Sequence, residues 1–183
     1  MDFREYYYLE SYLFDKVRVQ FAKQGYLTAF DFFCIVIWKA NRAKSKMAKK
    51  LLAGTNVSLD VAVGALTYSI AKQKTAKDRF GLLWNVGFRI PMASAILTVL
   101  YPDEFTMYDT RVCGMLGGFH NLDNLSDFED VWQGYQDFER KVIESTPAEL
   151  TLRDKDRYLW GKSFYEQLTL DISQGFNGDK SDS

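Results

Sequence analysis

The sequence predicts an all-α protein, a compact helical bundle of about eight to ten helices. Three observations predict it. Apolar residues recur at helical spacing along most of the 183 residues, and no alternating strand pattern runs beyond three or four positions. Only three prolines interrupt the chain. Finally, Ser, Thr or Asp stands repeatedly just ahead of an apolar run, where a side-chain oxygen accepts from an unpaired first-turn amide.

In chain order, YYYLESYLFDKVRVQFAKQG carries aromatic and aliphatic positions on one helical face and stops at Gly25. Thr28-x-x-Asp31 opens a helix read as continuous to Gly54, apolar up to Trp38 and basic thereafter. Ser58 caps LDVAVGALTYSIAKQ, and Thr75-x-x-Asp78 caps AKDRFGLLWNV. IPMASAILTVLYP starts with proline in its first turn and ends at Pro102. DTRVCGMLGG is a short helix with Asp109 at its start and Gly117-Gly118 at its end. Ser126-x-x-Glu129 forms a capping box ahead of DVWQGYQDFERKVIEST, and Thr151-x-x-Asp154 opens KDRYLWGKSFYEQL. Residues 1–175 are expected to form one all-α domain. A two-lobed version of it has the termini packing in one lobe and residues 28–80 forming the other. Residues 176–183 have the small, polar composition of a disordered tail.

Composition bounds the function. The apolar share of 47% suits a globular core, and the aromatic share of 16% is high. No run of about 18 apolar residues exists, so no membrane partner is expected. The start MDFREYYYLE lacks a secretory signal pattern. Two cysteines, Cys34 and Cys113, sit in apolar contexts and are too few for a four-cysteine metal site. A cytoplasmic location is expected, nucleoid-associated in a bacterium, with no metal and no cofactor. The lone His120 has no catalytic partner type beside it. Tyr6, Tyr7, Tyr8, Trp132, Tyr135 and Phe138 read as core or interface aromatics.

Net charge is −1, but its distribution is uneven. Residues 39–79 hold ten Lys/Arg against two Asp, and residues 103–156 hold five Lys/Arg against thirteen Asp/Glu. Such asymmetry suggests a polyanionic partner. Lys39, Arg42, Lys46 and Lys49 follow 3-4-3 spacing, one face of a single helix, with no acid from residue 39 to 50.

Residues 80–116, FGLLWNVGFRIPMASAILTVLYPDEFTMYDTRVCGML, combine these features. A helix ends in a tight turn at Asn85-Val86-Gly87, and a second helix follows with small residues Ala93 and Ala95. A loop then leads to an acid, Asp109, at the start of a third helix. This layout resembles the helix–hairpin–helix DNA glycosylase superfamily, in which a glycine hairpin precedes an acid by roughly twenty residues. The resemblance makes Gly87 the first hairpin glycine, Ala93 the small packing residue and Asp109 the catalytic carboxylate. It implies that Gly87, Phe88 and Arg89 grip the phosphate backbone of duplex DNA together with the basic stripe. Trp38, Trp84, Tyr108 and Trp160 are the candidate walls of a base pocket.

Two positions depart from the family pattern: Arg89 replaces the second hairpin glycine, and Val86 replaces a proline. No lysine occurs from 80 to 116, so the resemblance implies a monofunctional enzyme without lyase activity. Asp109 would stabilise the oxocarbenium-like transition state as the N-glycosidic bond of a modified base is hydrolysed. A plain helix cap is the competing reading of Asp109. At the level of the whole chain, the alternatives are a DNA-binding protein that cuts nothing and a helical protein–protein interaction module.

Overall fold

The computed structural model describes residues 3–176; the expected tail from residue 177 onward lies outside the described residues. All regular structure among them is helical. A 3-10 turn, Phe3–Tyr6, precedes α1 (Leu9–Tyr12), a π-helical turn Leu13–Val17 and α2 (Arg18–Gln24). Tyr8, with φ −93° and ψ 59°, separates the 3-10 turn from α1, but the backbone stays right-handed helical from α1 to α2, so the expected first helix is one path from Leu9 with a π-turn inside it. It ends at Gly25, whose φ of 76° is left-handed and whose amide donates back to Phe21 O.

Six of the next eight helices follow in the expected order: α5 (Leu59–Lys72), α6 (Ala76–Asn85), α7 (Ile90–Leu100), α8 (Thr110–Leu116), α9 (Phe128–Glu144) and α10 (Leu152–Ser173). The other two, α3 (Ala29–Ala40) and α4 (Lys44–Leu52), replace the single helix expected from Thr28 to Gly54. Ala40 leaves helical geometry, with φ −161° and ψ 92°, and a 3-10 turn Asn41–Ala43 redirects the chain. The four basic positions therefore do not share one helix face.

Thr28, Ser58, Thr75 and Thr151 each accept from the amide three residues on, as expected. The cap of α9 is different. Asp127, not Ser126, accepts from the Glu129 and Asp130 amides, and its carboxylate adds charge complementarity to the helix N-terminus.

Helix α7 lies at the centre. All its residues except Pro91 are buried, because its sequence is apolar or small on every side. Ala93 and Ala95 are fully covered, and α3, α6 and α2 pack around it. α9 covers the bundle with Val131, Tyr135, Phe138 and Val142, spaced for one helical face. The buried apolar side chains form one cluster running from Leu13 to Leu159. Cys34 and Cys113 are buried free thiols within it. Tyr6 packs edge-on against Tyr12 and Phe30, whereas Tyr7 and Tyr8, read as core or interface aromatics, stand 84% and 67% exposed. No helix among the described residues is long and apolar enough to cross a membrane.

Candidate active site

The segment between α7 and α8 carries the acid of interest, and three buried anchors fix its path. Tyr135 donates its hydroxyl to Thr106 O at 2.6 Å and accepts from Thr106 N at 3.1 Å. Met107 N donates to Asp156 Oδ2 at 3.1 Å, and Tyr108 N donates to Ser94 Oγ at 3.0 Å. An extended chain alternates its side chains between two faces. Thr106 and Tyr108 accordingly point into the protein, while Met107 and Asp109 line a pocket on the other side.

That pocket has a volume of about 410 Å³, within the range of small-molecule sites. Trp38 from α3 and Trp160 from α10 are among its walls, with Lys39, Asp109, Arg153 and Asp156 also lining it. Asp109 is the N-cap of α8: its Oδ1 accepts from Arg111 N at 2.9 Å. Its Oδ2 lies 3.0 Å from Lys39 Nζ, which also donates to Tyr108 O at 3.1 Å. The carboxylate is thus held from both sides, with its side chain 24% exposed toward the pocket.

The floor is a charged knot. Arg153 bridges Asp156 of its own helix and Glu10 of α1, and Glu10 Oε1 also accepts from Arg157 Nη2 at 2.8 Å. The Arg153 guanidinium lies over the rings of Phe14 and Trp38, with centroids 5.0 and 5.4 Å away. Three carboxylates and three cations line the pocket, so it is charge-balanced when all are ionised. Burial pushes the Asp156 carboxyl up to about 6, against the opposing pull of Arg153 and the Met107 amide. Burial acts the same way on Glu10, but Arg157 and Arg153 outweigh it and hold that carboxyl below its ordinary value. No group of three or more metal-ligating side chains occurs among the described residues.

The remaining expected residues are placed elsewhere. Tyr108 is only 2% exposed; its ring packs on Phe138 and its hydroxyl donates to Phe119 O at 2.6 Å, so it is a core residue. Trp84 packs on Phe128 beneath the Arg89 guanidinium, 4.6 Å from its ring centroid, and does not line the pocket. Phe88, expected to grip the phosphate backbone, is fully buried against Phe32 because an apolar ring gains by entering the core.

Gly87 does turn the chain, at φ 92°, but its amide donates to Trp84 O and the Phe88 amide to Leu83 O. Those two amides are therefore not free to grip phosphate. Arg42, Lys46 and Lys49 are exposed on the 3-10 turn and α4. Lys50 of α4 donates to Gly87 O, which ties this basic helix to the α6–α7 turn. Burial, with Lys46 and Arg89 as like charges, depresses the Lys50 ammonium.

Glu10, Met107, Arg153, Asp156 and Arg157 were not among the expected site residues. For three of them a signal existed: Arg153, Asp156, Arg157 and Trp160 sit at i, i+3, i+4 and i+7, one face of α10. Nothing local marks Glu10, which reaches the site from 143 residues away. Comparison with protein-family models, curated proteins and solved structures finds no match to this chain.

Proposed function

We propose that the pocket receives a nucleobase turned out of duplex DNA and that Asp109 assists hydrolysis of its N-glycosidic bond. One observation carries this reading. Trp38, Asp109 and Trp160, far apart in sequence, converge on one cavity large enough for a base and its sugar. Flat indole walls suit a base that has left the stack. As the bond between C1′ and the base nitrogen lengthens, positive charge grows on the sugar, and a fixed carboxylate beside it lowers that barrier. Water adds to C1′ and the base leaves with a proton, giving an abasic site. Phosphate contacts would come from Arg42, Lys46, Lys49 and Arg89. Arg42 lies three residues beyond Lys39, so at most about 11 Å of chain separates this patch from the pocket.

The test is base release from duplexes carrying alkylated, oxidised, deaminated or phage-type modified bases, with Asp109→Asn as the comparison. Asparagine keeps the cap acceptor, so folding and DNA binding should persist while release falls by about two to three orders of magnitude. Undiminished release by Asp109→Asn removes the proposed role.

A second reading, DNA binding without cleavage, is favoured by the occupancy of Asp109, since Lys39 and the Arg111 amide each engage one oxygen. Salt-sensitive duplex binding with no release on any substrate distinguishes it.

A further inference from the structure

We propose that the C-terminal half of α10 is a self-association surface through which two copies of this chain pair as antiparallel helices. The helix does its packing early. Arg153, Lys155, Asp156 and Leu159 are buried, and no residue from Trp160 to Ser173 is. Yet this outer half carries an apolar stripe, with Asp171 inside its arc and the exposed Leu170 outside it. Trp160, Phe164, Leu168 and Ile172 follow one another at i+4, and Tyr165 flanks them on the same side. Their exposures are 42%, 46%, 38%, 61% and 70%. Lys162, Glu166, Thr169 and Ser173 occupy the opposite arc. Trp160 and Phe164 already stack with rings 5.8 Å apart and 5° from parallel, a preformed flat platform.

The stripe is about 18 Å long. At 150–250 Å² for a whole aromatic side chain, it exposes roughly 500 Å² of apolar surface, more than scattered surface residues account for. Two copies face to face cover roughly 1,000 Å², the threshold of a specific interface, before any flanking contacts are counted. A two-fold axis near the middle of the stripe sets the aromatic end of one copy against the aliphatic end of the other. The stripe therefore complements itself, as an isologous contact requires.

Other occupants fit less well. Residues 177–183, NGDKSDS, hold no apolar side chain that could cover it. A lipid surface calls for a strongly basic polar arc, and this one carries Lys162 beside Glu166.

Sedimentation equilibrium of the full chain, from about 1 to 300 μM, tests the pairing. The expected result is a reversible monomer–dimer equilibrium. Leu168→Glu, in the stripe, weakens it by about 30-fold or more, whereas Thr169→Glu, on the opposite arc, leaves it unchanged. Thermal unfolding of both variants in dilute solution should match the parent chain, because neither position is buried in the monomer. A chain that stays monomeric throughout the range overturns the proposal, whether or not it binds neutral phosphatidylcholine vesicles. A dimer that survives Leu168→Glu also overturns it. The measurement needs no DNA, so its outcome is independent of the function proposed for the pocket.

Discussion

The contact between Lys39 and Asp109 fixes the geometry of the pocket mouth, and a double-mutant cycle measures its worth. At 3.0 Å and an effective dielectric constant of about 20, two unit charges attract by about 5.5 kcal/mol before desolvation is counted. The lysine side chain is 12% exposed and the aspartate 24%, so both charges have given up most of their hydration. That loss offsets much of the attraction, and a net coupling of about 1–3 kcal/mol is expected, above the range of exposed pairs. Lys39→Met keeps the apolar stem against the pocket wall and removes the ammonium. Asp109→Asn keeps the oxygen that caps α8 and removes the charge. Each single change should cost about 1–2 kcal/mol, and the double change clearly less than the sum. Urea unfolding at neutral pH reads all four chains. Repeating it in about 0.5 M salt should leave most of the coupling intact, because a partly buried pair is weakly screened. A coupling below about 0.3 kcal/mol, or one that disappears in salt, would mean that the two side chains are not held together.

Two further outcomes follow from the packing and the buried charges. Burial, aided by Glu104, pushes the Glu139 carboxyl up to about 7. A carboxyl raised above its unfolded value binds more protons when folded, so stability falls as pH rises through the window from about 4.5 to 7. Glu139→Gln should therefore add about 1–2 kcal/mol at pH 8, allowing for its partial exposure, and nothing near pH 3.5, below the unfolded value; equal effects at both pH values refute this. Phe88→Ala should cost about 3–5 kcal/mol in denaturant unfolding, as a core ring does, and a cost under about 1 kcal/mol would return Phe88 to the surface role expected from sequence.

The fold was legible because its signals are local. A hydroxyl that accepts from an amide three residues on is written within four positions, and all four Thr and Ser caps outside α9 formed as read. At α9 two candidate caps are adjacent, and choosing Asp127 over Ser126 depends on a one-residue shift that composition does not resolve. The break at Ala40 is harder. Nothing between Trp38 and Lys44 is a strong breaker, and what the break accomplishes is long-range. It lets Lys39 face Asp109, seventy positions later, while Arg42 and Lys46 remain in solvent. A charge stripe drawn on an ideal helix cannot register that one member is already spoken for.

The site was partly legible for a related reason. Asp109 was marked by its place at a loop-to-helix junction, and there the cap reading and the pocket reading turn out to use different oxygens. Oδ1 satisfies the α8 amide, and Oδ2 meets Lys39 at the cavity. Capping therefore takes only one oxygen: it orients the carboxylate, and the second oxygen, at the cavity, is paired with Lys39. The error on Tyr108 comes from the same junction. Its neighbour in sequence is its opposite in space, because the backbone at Asp109 is extended, φ −142° and ψ 143°, and extended chains alternate faces. Had residues 106–109 been read with a period of two, placing Asp109 at the pocket would have sent Tyr108 inward and brought Met107 to the wall in its stead.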